Sequence, residues 1–177
     1  MKERPILFST PMVEAILEGR KTQTRRNIKG LPLEWLNDDF SPEFVSDEEN
    51  KLCPYGQVGD VLWVRETWEN YQGSYNYKAG KYGLLGEKWK PSIHMPKEAC
   101  RIRLKITDIR AERLHDMPFD DIQKEGVNNG VSNPLMGARW ANMQRMAWEE
   151  LWKNINGKES WDSNPWVWVI SFEQIKK

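Results

Sequence analysis

The feature that most restricts the fold of this sequence is a nearly continuous apolar run close to its C-terminal end, from Trp166 to Phe172. The run is rich in β-branched and aromatic residues, which favour strands, and it is far shorter than the roughly 20 residues of a membrane-spanning helix. A strand with apolar side chains at consecutive positions must be covered on both faces. We therefore predict that this segment is a central strand of a small β-barrel.

Two further segments have the pattern of strands. Val61–Val64, after the turn signal Gly59-Asp60, is a second apolar run, and we expect the strand to continue as far as Trp68. Cys100–Ile106 alternates apolar and charged residues, and the apolar phase slips near Thr107-Asp108, which indicates a β-bulge. Strands from both ends of the chain suggest a barrel that is closed by its terminal strands.

The helix signals are fewer, so the predicted class is α+β. Thr10-Pro11 can begin a first helix, with Thr10 as the N-cap, and Gly19 can end it. A short helix over Pro118–Glu125 is stopped by Gly126, and a longer one covers about Arg139–Ile155. The predicted apolar face of the longer helix carries Trp140, Met143, Ala147 and Leu151. At 177 residues, the chain is long enough for one good core, so we predict a single domain over 1–177.

Charge and cysteine content exclude several classes of protein. The chain has 26 Lys and Arg residues and 26 Asp and Glu residues, and this balance argues against a whole-surface electrostatic grip on duplex nucleic acid. No apolar run is long enough to span a membrane, and the first residues do not resemble a secretory signal. The two cysteines stand alone, which suits a reducing compartment. We expect a cytoplasmic monomer, because no segment has the pattern of an obligate dimer interface.

The segment from Gly19 to Arg26 is the most informative about chemistry. If it is a strand, Lys21, Gln23 and Arg25 share one face, while Arg20, Thr22, Thr24 and Arg26 share the other. A bend at either end would bring Lys21 and Thr24 to one site, where a hydroxyl beside a desolvated amine is a nucleophile–base pair. The alternatives are a solvated basic strand or a patch that contacts phosphates without chemistry.

The same segment, in the pattern Gly-Arg-Lys-Thr-x-Thr-x-Arg after a short helix, resembles the signature of ASCH domains, a branch of the PUA-like β-barrel superfamily. Four later segments occur in the order expected of that family: Gly59–Leu62, Ile102–Ile109, the helix ending at Glu125–Val127, and Trp166–Phe172. A closer resemblance still, to ASCH proteins of bacteriophages and prophages, is carried by the segments Arg4–Phe8, Trp63–Trp68, Pro91–Pro96 and Trp161–Trp166. It implies a PUA-like barrel with flanking helices and surface insertions at about 30–55 and 69–97. The first insertion looks irregular and acidic, and is anchored by Trp35, Phe40 and Phe44.

The segment from Gly19 to Arg26 also resembles that of a related group, the bacterial N4-acetylcytidine amidohydrolases. This resemblance implies a catalytic set of Lys21, Thr24 and Glu125. In that reading the Thr24 hydroxyl attacks an amide carbonyl, Lys21 accepts its proton, and Glu125 orients or relays it. Arg26 or a backbone N–H would stabilise the oxyanion. The further residues predicted to bind the ligand are Arg20, Arg25, Arg26, Glu66 and Trp68. We expect Glu66 to point into the cleft and pair with Arg25 or Arg26.

The sequence predicts no metal and no cofactor. Cys53, His94, Cys100 and His115 lack metal-ligand spacing, and the chain has neither a Walker A loop nor a G-x-G-x-x-G motif. Three functions stay open: a hydrolase of a modified nucleoside, a module that binds or cleaves single-stranded RNA, and a phage accessory protein that mainly binds another protein. The neutral net charge favours a small nucleobase-containing ligand over a polymer.

Overall fold

A computed structural model describes residues 1–80, 88–127 and 137–176, which form a mixed α+β structure. The strands in these ranges are β1 (Glu3–Leu7), β2 (Gln23–Asn27), β3 (Val61–Arg65), β4 (Trp68–Tyr71), β5 (Ser74–Tyr77), β6 (Arg103–Arg113) and β7 (Trp166–Gln174). The α-helices are α1 (Thr10–Leu17), α2 (Leu31–Asn37), α3 (Pro42–Ser46), α4 (Phe119–Lys124), α5 (Gly137–Asn156) and α6 (Lys158–Asp162). No helix in these ranges has both the length and the apolar character needed to cross a membrane.

The main sheet has five strands in the order β1-β3-β6-β7-β2. β1 and β3 are parallel, whereas the other neighbours are antiparallel. The predicted apolar run is confirmed as an interior strand, because β7 pairs with both β6 and β2 and its residues Val167–Ile170 are buried. The predicted bulge is also confirmed, between Ile106 and Asp108 of β6.

The predicted barrel is not confirmed, since the hydrogen bonds among the described strands leave the sheet open. β1 and β2 are its edges, and β3 and β6 separate β1 from β7. The expectation that the two terminal strands close a barrel is therefore wrong. The prediction of one strand from Val61 to Trp68 is wrong as well, because β3 ends at Arg65 and β4 begins a separate hairpin with β5.

Helix α1 and the turn after it position the start of β2. Ser9 is the N-cap, one residue before the predicted Thr10, and Gly19 ends the turn with a φ of 73°. The backbone N–H groups of Arg20 and Lys21 both donate to the carbonyl oxygen of Ala15, at 2.9 and 3.0 Å. The chain is thereby folded back against α1, and Lys21, two residues before β2, is in contact with the protein interior.

The longest helix, α5, is where predicted, but its buried line differs from the predicted one. The predicted residues from Trp140 to Leu151 are only half-buried, whereas Gln144, Trp148 and Trp152 are buried. The buried residues recur every four positions, and each follows a predicted residue by one position. The contact face is therefore rotated by about 100° from the predicted face. Trp148 and Trp152 pack on Val167 and Val169 of β7 in a second core cluster.

The segment 30–55 was predicted to be irregular, and this prediction is wrong, because the segment contains α2 and α3. Leu36 and Val45 are buried in the main core, so each helix is held by an apolar residue on its inner side. Trp35, Phe40 and Phe44 form a cluster of rings. Of the three residues predicted to anchor the segment, Trp35 packs against the main core, whereas Phe40 and Phe44 are exposed. At the start of the segment 69–97, β4 and β5 pair as an antiparallel hairpin.

Candidate functional site

Lys21 and Glu125 meet where the start of β2 passes the C-terminal end of α4. The two residues form an isolated antiparallel bridge, and the N–H of Thr22 donates to the carbonyl oxygen of Lys124 at 2.8 Å. Gly126 follows with a φ of 78°, a conformation that glycine adopts without strain. This pairing of backbones places a lysine and a glutamate side by side inside the protein.

The Lys21 ammonium is fully enclosed by its partners. Its Nζ donates to Glu125 Oε2 at 2.8 Å and to the Glu125 carbonyl oxygen at 2.9 Å. The Lys21 side chain is 0% exposed and that of Glu125 is 1% exposed. Burial lowers the pKa of Lys21, against the opposing attraction of Glu125. Lys21 is therefore closer to acting as a proton acceptor than a surface lysine would be.

Arg25 lies on the same face of β2 as Lys21 and holds the other oxygen of Glu125. Its Nη1 donates to Glu125 Oε1 at 3.0 Å, and its Nε and Nη2 donate to Glu112 Oε1 at 2.9 and 2.6 Å. Nη2 also donates to Asp121 Oδ2 at 2.9 Å. Burial opposes the charge of Arg25, but Glu125 and Glu112 outweigh it, so that the pKa of Arg25 is raised. Arg25 is a permanent structural cation with no side-chain exposure.

The network continues to the surface through Asp121. Arg110 and Lys124 both donate to this carboxylate, at 2.5 and 2.9 Å. Burial would raise the pKa of Asp121, but its bonds to Lys124, Arg25 and Arg110 lower it overall. Because Asp121 and Glu125 are four residues apart at α4, they share the face that meets β2. Glu112, Asp121 and Arg110 were not predicted as site residues from the sequence, although the spacing of four residues from Glu125 indicates Asp121.

Thr24 is buried on β2 and lines a cavity of about 10 Å³ together with Glu125, Trp148 and Trp152. That volume suits about one water molecule. Within the described ranges, no hydrogen bond joins the Thr24 hydroxyl to Lys21, Glu125 or any other group. The structure thus places the three predicted catalytic residues at one locus, with Lys21 and Glu125 in contact and Thr24 beside them.

A wider depression of about 480 Å³ adjoins this cavity, between α1, the end of α4 and α5. Met12 and Glu125 line both spaces, so the two are neighbours separated by these side chains. Arg20 lies at the depression, where its Nη1 donates to the carbonyl oxygen of Gly126 at 2.8 Å. Glu18 accepts from the Nε of Arg20 at 2.7 Å. The depression therefore extends to Glu125, whereas Lys21 lines neither space and stays behind Glu125 in the interior.

Arg26 and Lys21 flank the ring of Phe8. The Arg26 guanidinium carbon is 5.3 Å from the ring centroid, and Lys21 Nζ is 5.7 Å from it. Arg26 Nη2 also donates to the carbonyl oxygen of Leu7 at 2.7 Å, which links the two edges of the sheet. Burial lowers the pKa of Arg26. The side chain that we predicted to stabilise an oxyanion is engaged with the protein in this conformation.

Glu66 was predicted to pair with Arg25 or Arg26. In the structure it pairs instead with Arg101. Arg101 Nε and Nη2 donate to the two oxygens of Glu66, each at 2.8 Å, and Nη2 also donates to the carbonyl oxygen of Ala79. The reason is that β3 ends before Glu66, which leaves it on the side of the hairpin and not beside β2.

Trp68 belongs to the same region as Glu66, in a separate small core. Its ring packs with Met95 and Ala99 and lies 5.8 Å from the ring of Tyr75. Lys90 Nζ is 4.9 Å from its ring centroid. Glu66 and Trp68 thus form a second cluster that is not part of the Lys21 network. Over the described ranges, no three His, Cys, Asp or Glu side chains are grouped as they would be to hold a metal ion.

No protein-family model and no curated protein matches this chain. Among solved structures, it is similar to an ASCH domain from Lactobacillus crispatus JV V101. That likeness covers 98% of this chain and 79% of the other, with 16% sequence identity and a TM-score of 0.45. At this level of similarity, a function has to be supported by the geometry of the site and by the motif from Gly19 to Arg26.

Proposed function

We propose that the protein binds a nucleobase-containing ligand at the Lys21 site and hydrolyses the amide of an N4-acylated cytidine. The observation that carries this proposal is the buried Lys21–Glu125 pair, with Thr24 at the cavity beside it. The resemblance of the Gly19–Arg26 segment to ASCH domains supports the same set of residues. Acyl transfer to an enzyme needs a nucleophilic hydroxyl, a base that accepts its proton, and a group that orients the base. Thr24, Lys21 and Glu125 would fill these three roles.

The reaction would run through an acyl-enzyme. The Thr24 oxygen attacks the amide carbonyl carbon, while neutral Lys21 accepts the hydroxyl proton. Protonated Lys21 then donates that proton to the departing N4 amine, which leaves the acyl group on Thr24. Water attacks this ester with Lys21 again as the base, releasing the carboxylic acid and restoring the hydroxyl. Glu125 holds the lysine in place throughout.

The closed geometry of the site requires α5 to shift when a ligand binds. A cavity of about 10 Å³ does not hold an acyl group, and small-molecule pockets are typically at least about 300 Å³. The neighbouring depression, about 480 Å³, is large enough for a nucleoside. Outward movement of Trp148 and Trp152 would join the two spaces and present indole rings to the base.

The state of the arginines favours this small ligand over RNA. Arg25 is used entirely inside the protein, Arg26 donates to Leu7, and Arg20 donates to Glu18 and Gly126. A groove that follows a nucleic-acid backbone needs free cationic groups along its length. The arginines of the basic segment instead donate their hydrogen bonds to acceptors of the protein itself.

The test is hydrolysis of N4-acetylcytidine to cytidine, followed by chromatography. We expect turnover by the wild type, a loss of about 10²–10⁴-fold in Lys21→Met, and no turnover above background in Thr24→Val. Thr22→Val and Lys29→Met are the matched controls, since both side chains are exposed nearby on the chain and should leave the rate unchanged. If the folded wild type hydrolyses neither this nucleoside nor longer N4-acyl cytidines, the hydrolase proposal is wrong.

The pH dependence of this reaction gives a second prediction. Lys21 acts only when it is neutral, so kcat/KM should rise as the pH passes through its pKa and then level off. Because burial lowers that pKa, the midpoint should fall below the ordinary lysine value of 10.5. A pH–rate profile, corrected for uncatalysed hydrolysis, measures the midpoint. A rate that is still rising tenfold per unit at pH 10.5 would contradict a base whose pKa is lowered by burial.

A further inference from the structure

The segment from residue 30 to residue 50, here called the acidic lobe, has a charge unlike that of the rest of the chain. It contains no Lys or Arg, and its acidic residues are Glu34, Asp38, Asp39, Glu43, Asp47, Glu48 and Glu49. The lobe therefore carries seven negative charges, while the remaining residues hold all 26 basic and 19 acidic side chains. A neutral chain is thus divided into a strongly acidic part and a basic remainder.

The carboxylates of the acidic lobe differ in their surroundings from those of the Lys21 network. Within the described ranges, none of the seven forms an ion pair. Glu43, Glu48 and Glu49 instead line a depression of about 540 Å³, together with Asp108 and the single cationic side chain of Lys51. A concave surface with one dominant sign of charge concentrates ligands of the opposite sign.

An exposed apolar ridge runs beside this depression. The ring of Phe40 lies 5.4 Å from that of Trp35 and 5.4 Å from that of Phe44, and the rings are stacked. Phe40 is 45% exposed and Phe44 is 44% exposed. The inner faces of α2 and α3 are already closed by Leu36 and Val45, so folding does not require rings at the surface. Adjacent exposed rings at the edge of a charged surface are typical of a binding site.

We propose that the acidic lobe is a docking surface for a basic segment of another protein. Lysine or arginine side chains of the partner would enter the depression beside Glu43, Glu48 and Glu49. An apolar residue of the same segment, or the face of an arginine, would pack on Phe40 and Phe44. The ridge favours a protein over a small cation, and the negative charge excludes nucleic acid and anionic membranes. This surface is separate from the Lys21 site and does not depend on the proposed hydrolysis.

The experiment is a selection of random 12-residue peptides displayed on phage against the immobilised protein, followed by calorimetric titration of the soluble consensus peptide. We expect selected peptides to combine several Lys or Arg residues with at least one large apolar residue. Phe44→Ser, and separately the triple variant Glu43→Gln/Glu48→Gln/Glu49→Gln, should each weaken binding by about tenfold or more. Tyr71→Ser is the matched control, because Tyr71 is an aromatic residue 62% exposed on β4, outside the lobe.

The outcomes separate the occupants. Selected peptides that lack basic residues, or that bind Phe44→Ser as tightly as the wild type, would overturn the proposal, as would a selection that yields no binder. Displacement of the peptide by spermidine with equal affinity in wild type and Phe44→Ser would reassign the depression to a small cation. Concentration-dependent dimerisation in sedimentation velocity, abolished by Phe44→Ser, would show that the occupant is a second copy of the chain. Thermal unfolding of each variant checks that it is folded.

Discussion

Replacing Glu125 with alanine is expected to lower the free energy of unfolding by about 3–5 kcal/mol, because it leaves two buried cations without their shared counter-ion. Lys21 Nζ and Arg25 Nη1 each donate to one oxygen of this carboxylate, and neither cationic side chain is exposed. Arg25 keeps Glu112 and Asp121, but Lys21 keeps only a backbone carbonyl. A domain of this size is typically stable by only about 5–15 kcal/mol, so the variant should be close to unfolding.

Urea unfolding followed by tryptophan fluorescence measures this change. Glu112→Ala is the matched control: it removes an acceptor of the same Arg25, but Glu112 is 14% exposed and the arginine retains two other acidic partners. We expect a clearly smaller loss there. The double variant Lys21→Met/Glu125→Leu should recover much of the lost stability, since it removes buried charge together with its partner. Equal losses in Glu125→Ala and Glu112→Ala would contradict the ranking of partners that the structure gives.

The strands and helices were largely predictable, because side-chain periodicity is a local property. The apolar run of β7, the alternation and bulge of β6, and the helix before Gly126 all follow from residues that are neighbours in sequence. The first helix was displaced by one residue at its N-cap, within the usual uncertainty of such boundaries. The face of α5 was mistaken because tryptophans lie on both its half-buried and its buried lines, and only the packing on β7 decides between them.

The arrangement of the strands could not be derived in the same way. The parallel pairing of β1 with β3 joins residues about 58 positions apart. The side-chain pattern of either strand does not indicate which strand it pairs with. Two strands that come from the ends of the chain are not thereby neighbours, which is why the predicted closure fails. The helices α2 and α3 were missed because each is short and buries few side chains, Pro32 and Leu36 in α2 and Val45 in α3.

At the site, strand alternation correctly placed Lys21 and Arg25 on one face, since both reach Glu125. Alternation gives a face but no partner, so Glu112 was not foreseen and Arg101 was not assigned to Glu66. Glu125 entered only through the resemblance to ASCH domains. The burial of Lys21 and Arg25 was not predicted, because a run of four cations favours exposure unless acidic residues from elsewhere in the fold pair with it.

The junction that brings Lys21 to Glu125 depends on the absence of a side chain at Gly126, and Gly126→Ala is expected to destabilise the protein by about 2–5 kcal/mol. A Cβ atom at this position would lie 2.8 Å from the Cβ of Ala15 and 2.9 Å from the Cβ of Lys21. The φ of 78° adds a backbone cost of about 1–2 kcal/mol for any L-residue. Neither neighbour is the flexible end of a side chain, so α1 or β2 must move.

Gly19→Ala separates the two contributions. Gly19 has a similar φ of 73°, but no atom lies within 4 Å of the position that its Cβ would take, so only the backbone cost of about 1–2 kcal/mol applies. Urea unfolding of the two variants gives the steric part as their difference, and we expect Gly126→Ala to be the less stable. It should also lose more N4-acetylcytidine hydrolysis than Gly19→Ala under conditions where both are folded, because the displaced backbone carries Lys21. Equal stabilities would mean that α1 and β2 yield at no cost, and that the close packing at this junction does not fix the position of the lysine.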